Sequence, residues 1–272
     1  MDIFNYFKIK IIKELKFIAD NRQLIFENYP EFTVSLLRNT NLGDITTNIA
    51  FIYCKYFKCS AYELAQKFLS LSQNPEIIIV TISKDGFINL KLNYKFWHKF
   101  LIRVLLEESS YAKSSQKLNL KNYTFDLNNC DDFSSNNIGF YLPYTYARIC
   151  SIINNAQKLF NSINLTPPFK EEDLILLNHE CDLTIIKTLA LWPKIISNAV
   201  ASKDPNKIIS YLQNLAYDFH DSIKKGRVSY DNKYIVENNF MLTQSRCLLA
   251  KAIKIVIKNG FLILDIPAIE KI

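Results

Sequence analysis

The side chains in this sequence that could carry out chemistry are few and scattered. Three histidines stand at positions 98, 179 and 220, and six cysteines at 54, 59, 130, 150, 181 and 247. A metal centre needs such ligands at set spacings, typically in pairs two to four residues apart. No CxxC pair exists, and His179-Glu180-Cys181 is the nearest approach to a ligand set. One turn of helix cannot supply the remaining ligands, so that triplet is expected to pack or cap, and no metal is expected. Five of the cysteines fall in apolar-periodic segments, the pattern of reduced core thiols. The five glycines (43, 86, 139, 226 and 260) are too far apart for GxGxxG or GxxxxGK[ST]. Without a glycine-rich loop to bring backbone N–H groups against phosphates, a self-sufficient nucleotide-dependent enzyme is not expected. No catalytic residue and no cofactor emerge from spacing alone.

The scaffold that must position whatever acts is large. With 272 residues, 49% of them hydrophobic, the chain can fill one large core or two ordinary ones, and it is too apolar for a disordered tail. Its formal charge of +7 favours an anionic partner. Residues 1–117 carry 16 basic and 11 acidic side chains, and residues 118–272 carry 17 and 15. Long-range attraction for an anion therefore comes at least as much from the first part. The opening MDIFNYFKIK has no secretory pattern, and no run of about 18 uncharged apolar residues reads as a membrane span. The cytoplasm is the expected compartment, with no membrane partner.

Along the chain, residues 3–18 mix apolar residues and lysines at helical spacing. Asp44 is expected to cap a helix running to about Phe57, and Ser60-Ala-Tyr-Glu63 reads as a capping box for a helix to about Leu71. EIIIVTI (76–82), a Lys84-Asp85-Gly86 turn and GFINLKL (86–92) predict a hairpin. Asn93 caps a helix over 94–108. Residues 109–122 are polar and read as a linker, followed by a strand-like YTFDL (123–127) and a loop. From there the pattern is helical throughout. A helix over 140–160 has Pro143 in its first turn, and a second, from about Cys181, is broken or kinked at Pro193. A third follows Asp204-Pro205 and ends at Gly226, and a last one runs from about Tyr234 to Gly260. The expected fold is an α+β N-terminal domain, with helices on a small antiparallel sheet over residues 1–108. A linker over 109–127 leads to an all-α helical bundle over 128–272.

The segments NLGDITTNIAF (41–51), AYELAQKFL (61–69) and DGFINLKL (85–92) resemble the N-terminal additional domain of arginyl-tRNA synthetases. FYLPYTYARICSI (140–152), HECDLTIIKTLALWP (179–193), DPNKIISYLQNLAYDFHD (204–221), Arg227-Val228 and LTQSRCLLAKAIKIVIKNGFLIL (242–264) resemble that family's C-terminal DALR anticodon-binding domain. The order and spacing match the family over most of the chain. Between these two domains the family carries its catalytic nucleotide-binding domain, and here the linker stands in that place. None of the histidines belongs to a His-x-Gly-His motif, and neither Ser83-Lys84-Asp85-Gly86 nor Lys224-Lys225-Gly226-Arg227 is a KMSKS-like loop.

The resemblance implies two contacts with tRNA. The family's aromatic-x-Asn strand meets the D-loop at the tRNA elbow, and Phe87 and Asn89 occupy the matching positions. An aromatic face stacks an unpaired base and an amide reads its edge, and period 2 puts both on one strand face, with Ile88 on the other. The first helix of the DALR domain touches the anticodon stem and loop, which brings in Tyr141, Tyr144 and Arg148. They form an i, i+3, i+7 stripe of two phenols and one guanidinium, suited to single-stranded RNA. Arg227 is a candidate phosphate ligand, whereas Arg246 lies between an RNA contact and a structural role. Asp44 and Asn48 are expected to brace a helix start. Two departures concern base reading. Tyr146 stands where the family often has histidine, and the close IPAIEKI has drifted from a Pro-Glu-Arg-Met ending.

The expected function is non-catalytic tRNA binding, directed at arginine isoacceptors, with the tRNA presented to a synthetase or a tRNA-modifying enzyme. One alternative is a subunit or remnant of arginyl-tRNA synthetase (arginine-tRNA ligase) working with a catalytic module in trans. The other is a protein-interaction module with a decayed RNA surface.

Overall fold

The computed structural model describes residues 2–25, 28, 30–37, 40–112, 138–229 and 233–271. Most of the expected linker, the strand-like 123–127 and Cys130 lie outside the described residues. The chain divides into two compact units, residues 1–96 and 97–272.

The first unit opens with helix α1 (Ile3–Asp20), which Asp2 caps by accepting from the Phe4 N–H at 2.8 Å. Ile3, Phe7, Ile11 and Leu15 recur every four residues and are fully buried, so a single stripe drives the helix onto the core. Four strands, β1 (Val34–Leu36), β2 (Ile45–Thr47), β3 (Ile77–Ile82) and β4 (Ile88–Leu92), form an antiparallel sheet in the order β1-β2-β4-β3. Helices α2 (Ile49–Phe57) and α3 (Ala61–Gln66) and a 3₁₀ turn (Lys67–Gln73) lie between β2 and β3. The predicted hairpin is β3–β4, and the predicted capping box is present, with Ser60 and Glu63 bonding reciprocally.

Around Asp44 the structure departs from the sequence reading. Asp44 does not cap a helix, because strand β2 intervenes and α2 starts at Ile49. Its buried carboxylate instead accepts from the Leu92 N–H at 2.7 Å and faces the Lys91 ammonium at 3.7 Å, fixing the end of β4. Asn48 accepts from the Thr33 N–H at 2.8 Å, tying the chain before β1 to the start of α2. Both polar residues bond backbone across the sheet, a long-range use that local spacing does not reveal.

Helix α4 (Tyr94–Glu107) begins in the first unit, where Phe96 meets Phe7 at 5.4 Å between ring centroids. From Trp97 onward its residues belong to the second unit, whereas the sequence placed the boundary at 108. Polar anchors account for the difference. His98 bonds the Leu177 carbonyl at 2.9 Å and the Tyr111 hydroxyl donates to the Leu189 carbonyl at 3.1 Å. The rest of the second unit is α5 (Ile138–Leu159), α6 (Glu180–Ser202), α7 (Asn206–Val228) and α8 (Phe240–Leu264). Helix α8 is buried on nearly every side from Thr243 to Ala250, the signature of a central helix.

Several expected helix limits shift. Because α5 starts at Ile138, Pro143 falls in its second turn. Helix α6 runs unbroken through Pro193, α7 passes Gly226 to end at Val228, and α8 spans 240–264 where 234–260 was expected. Where these helices continue through Pro143, Pro193, Gly226 and Gly260, packing against neighbouring helices outweighs a local breaker whose propensity cost is about 1–3 kcal/mol.

Candidate nucleic-acid interface

Strand β4 places two of the candidate residues. Ile88, Leu90 and Leu92 point into the core, so Phe87, Asn89 and Lys91 share the opposite face. Gly86 makes the approach possible. Its φ is +85°, and a Cβ there would lie 2.7 Å from the Ala61 Cβ at the start of α3. Phe87 emerges from this turn 42% exposed, whereas Asn89 is only 8% exposed. Asn89 pairs in register with Thr46 on β2 and Thr81 on β3, and Thr46 pairs with Ser35 on β1. The result is a row of small polar side chains across all four strands, with the exposed Phe87 ring two residues before Asn89 in the chain. Asn89 is thus a recessed polar group on this face.

Helices α5 and α7 build the second candidate site, a groove of about 450 Å³. Tyr141, Tyr144, Arg148 and Arg227, all singled out from the sequence, line it together with Phe140, Tyr217, His220, Ile223 and Lys224. The i, i+3, i+7 stripe on α5 supplies three of these, and its neighbour α7 brings Arg227 to the same groove. Among the described residues none that lines the groove is acidic, and Arg148, Lys224 and Arg227 give that lining a positive charge. Its aromatic rings are ordered. Phe140 stacks on Tyr144 at 5.7 Å and 18°, and Tyr144 stacks on His220 at 5.9 Å and 14°. Tyr141 tilts against the same imidazole at 5.3 Å. The Arg148 guanidinium lies 6.0 Å from the Tyr144 ring centroid. Parallel rings beside a guanidinium and two further cations can stack a base and hold its phosphate.

His220 also lines the groove, and sequence spacing alone does not single it out. Its pattern, His220-Asp221-Ser222-Ile223, carries no motif, and only the packing of α7 on α5 places the ring. Burial, then the Arg148 charge, push its pKa down to about 4. In the unfolded chain the imidazole titrates near its ordinary value of about 6.5. Between these values the unfolded state binds the extra proton, so stability falls as pH drops from 6.5 towards 4. Chemical denaturation of parent and His220→Phe across that range is expected to show a smaller loss in the variant. An equal loss in both would place the pH dependence elsewhere.

Arg246 is buried, the placement of a structural residue. It is 2% exposed, with Nη1 donating to the Lys233 carbonyl at 2.6 Å and Nη2 facing the buried Asp182 carboxylate at 3.5 Å. The serine-arginine-cysteine element lies on the central helix α8, where all three residues are buried. Tyr146 is also internal, packed on Phe261 at 5.8 Å. His179 caps α6 by accepting from the Cys181 N–H at 3.4 Å. Among the described residues no three His, Cys, Asp or Glu side chains cluster as metal ligands. Cys150 and Cys247 are core thiols as expected, but Cys54, Cys59 and Cys181 are partly exposed. No helix among the described residues is long and apolar enough to cross a membrane.

Comparison with known proteins bears on both sites. Residues 7–92 match the arginyl tRNA synthetase N terminal domain family, and residues 142–272 match the DALR anticodon binding domain family. The chain is similar to the arginine–tRNA ligase of Rickettsia canadensis, with 35% identity over 153 residues, 56% of this chain and 27% of that protein. It is 33% identical to the Rickettsia bellii ligase over the same shares. With the Xanthobacter autotrophicus ligase it shares 30% identity over 54% of this chain and 25% of the relative. The chain thus spans about a quarter of the length of the curated relatives it matches. The strand face lies within the first matched region and most of the groove within the second. The chain therefore carries an arginyl tRNA synthetase N terminal domain over residues 7–92 and a DALR anticodon binding domain over residues 142–272.

Proposed function

We propose that this chain is a non-catalytic tRNA-binding protein that holds tRNA, an arginine isoacceptor, at the D-loop elbow and at the anticodon. The α5–α7 groove carries the reading. It gathers Tyr141, Tyr144, Arg148 and Arg227 in one acid-free, aromatic-lined cleft of an anticodon-binding domain. The strand face with Phe87 and Asn89 supports the elbow contact, because it presents an exposed ring and a recessed amide on the synthetase-type N-terminal domain. The absence from the sequence of a His-x-Gly-His motif and a KMSKS-like loop supports binding without catalysis.

Quantitative binding to whole tRNA, to tRNA with a replaced D-loop and to an unrelated RNA of equal length tests the reading. Asn89→Ala is expected to weaken binding only while the D-loop is present. Equal binding by the folded variant and the parent removes Asn89 from the interface. Equal binding of tRNA and unrelated RNA by the parent removes specific recognition. Arginine-dependent ATP–pyrophosphate exchange by pure protein, with contaminating synthetase excluded, would overturn the non-catalytic part.

A further inference from the structure

One side chain in the groove has hydrogen-bond roles that the geometry fixes completely. Thr145, on α5, places its Oγ1 2.8 Å from the Tyr141 carbonyl one turn earlier. A carbonyl only accepts, so the single hydroxyl proton of Thr145 is committed there. The same Oγ1 is 2.9 Å from His220 Nε2, and this contact therefore needs a proton on the imidazole. On the other side of the ring, Arg148 Nη1 lies 3.5 Å from His220 Nδ1. A guanidinium only donates, so Nδ1 must offer its lone pair. One state satisfies every contact: neutral imidazole with its proton on Nε2. The other tautomer sets two donors face to face at Arg148 and two lone pairs face to face at Thr145. The imidazolium brings an N–H against the guanidinium.

We propose that His220 is a positioning residue for Arg148, holding the guanidinium in its ligand-accepting pose through a one-way chain from Arg148 to His220 to Thr145 to the Tyr141 carbonyl. This rests on the reading of the groove as an RNA-binding surface. The chain starts and ends on helix α5 and passes through α7, so it also sets the spacing of the two walls. The same imidazole supports the Tyr144 ring by stacking, so His220 orients both the flat face and the cation that a nucleotide meets. Among the described residues, the hydrogen-bond partners of Arg148 are His220 and the Tyr144 hydroxyl, the latter at 3.4 Å. Both contacts are long and neither is anionic. The guanidinium is therefore aimed without being neutralised, and its charge stays available to a phosphate or to acceptor atoms on a base edge. A carboxylate in place of the imidazole would hold Arg148 more tightly and cancel that charge.

The test combines readouts on the protein alone with RNA binding. Nitrogen-15 NMR of the free full-length protein is expected to show His220 as the Nε2–H tautomer at neutral pH, and Thr145→Val is expected to lose that preference. Rotation about the Arg148 guanidinium bonds is expected to be slower in the parent than in His220→Phe, which keeps a ring for stacking and removes the acceptor. His220→Phe is expected to weaken tRNA binding by roughly 3- to 10-fold, the size of one hydrogen bond. In an Arg148→Ala background the same change is expected to have almost no effect. An Nδ1–H tautomer, or unchanged Arg148 rotation in His220→Phe, overturns the positioning role whatever the RNA result. If the NMR results hold while the parent does not bind tRNA, the positioning chain stands and the RNA reading of the groove fails. If the parent binds tRNA and the two variants weaken it additively, His220 acts separately from Arg148 and the proposal is wrong.

Discussion

Whole tRNA is expected to bind this protein about 10²- to 10⁴-fold more tightly than the isolated anticodon stem-loop, because one rigid ligand then engages two grips. Each grip raises the effective concentration of RNA at the other without any new contact. Both grips draw on basic side chains, so affinity is expected to fall with a slope of roughly −0.7 to −0.9 per phosphate contact in log K against log salt. Arg148→Ala removes a groove cation that has no carboxylate partner among the described residues, and a loss of about 1–3 kcal/mol is expected if it meets a base. Fluorescence titration of whole tRNA and stem-loop over a salt series measures all three effects. Equal affinity for the two RNAs would mean that only one grip exists. An unchanged affinity in folded Arg148→Ala would move the anticodon contact out of the α5–α7 groove.

Arg246→Ala is expected to destabilise the second unit by about 3–5 kcal/mol, since it leaves the Asp182 carboxylate buried with its cationic partner removed. Burial raises the pKa of Asp182 and the Arg246 charge opposes that rise, so removing the guanidinium drives the carboxyl towards its neutral form. The Lys233 carbonyl loses its 2.6 Å donor in the same substitution. Replacing both charged residues with apolar ones of similar volume is expected to recover much of the loss. Thermal and denaturant unfolding of the two variants measure this. Arg246 and Arg148 thus offer a contrast between two arginines of one domain, one holding the fold and the other facing the groove. If Arg246→Ala unfolds as the parent does but loses RNA binding, the buried placement of Arg246 is not what governs its role.

The two-part organisation was legible in the sequence because it depends on short-range patterns. The β-branched run of β3 and the apolar–polar alternation of β4, on either side of the Lys84-Asp85-Gly86 turn, specify the hairpin, and Ser60 with Glu63 specifies the start of α3. Helical spacing likewise put Tyr141, Tyr144 and Arg148 on one face, since an α-helix returns to the same side every three to four residues. Period 2 separated Ile88 from Phe87 and Asn89 in the same way. What spacing along the chain could not determine was anything that depends on a second element. The three-residue strands β1 and β2 are too short for a periodic signal, and they exist because longer strands and a buried aspartate hold them. Arg148 and Arg246 are chemically identical in the sequence. Tertiary packing buried Arg246 against Asp182 on a central helix and left Arg148 in a groove whose described lining holds no acid. His220 lies 72 residues beyond Arg148 in the chain, and only the packing of α7 on α5 brings the two into contact. The sequence by itself thus determined which residues share a face, because that follows from backbone periodicity, while the tertiary structure decided which faces meet, because burial and charge pairing depend on residues far apart in the chain.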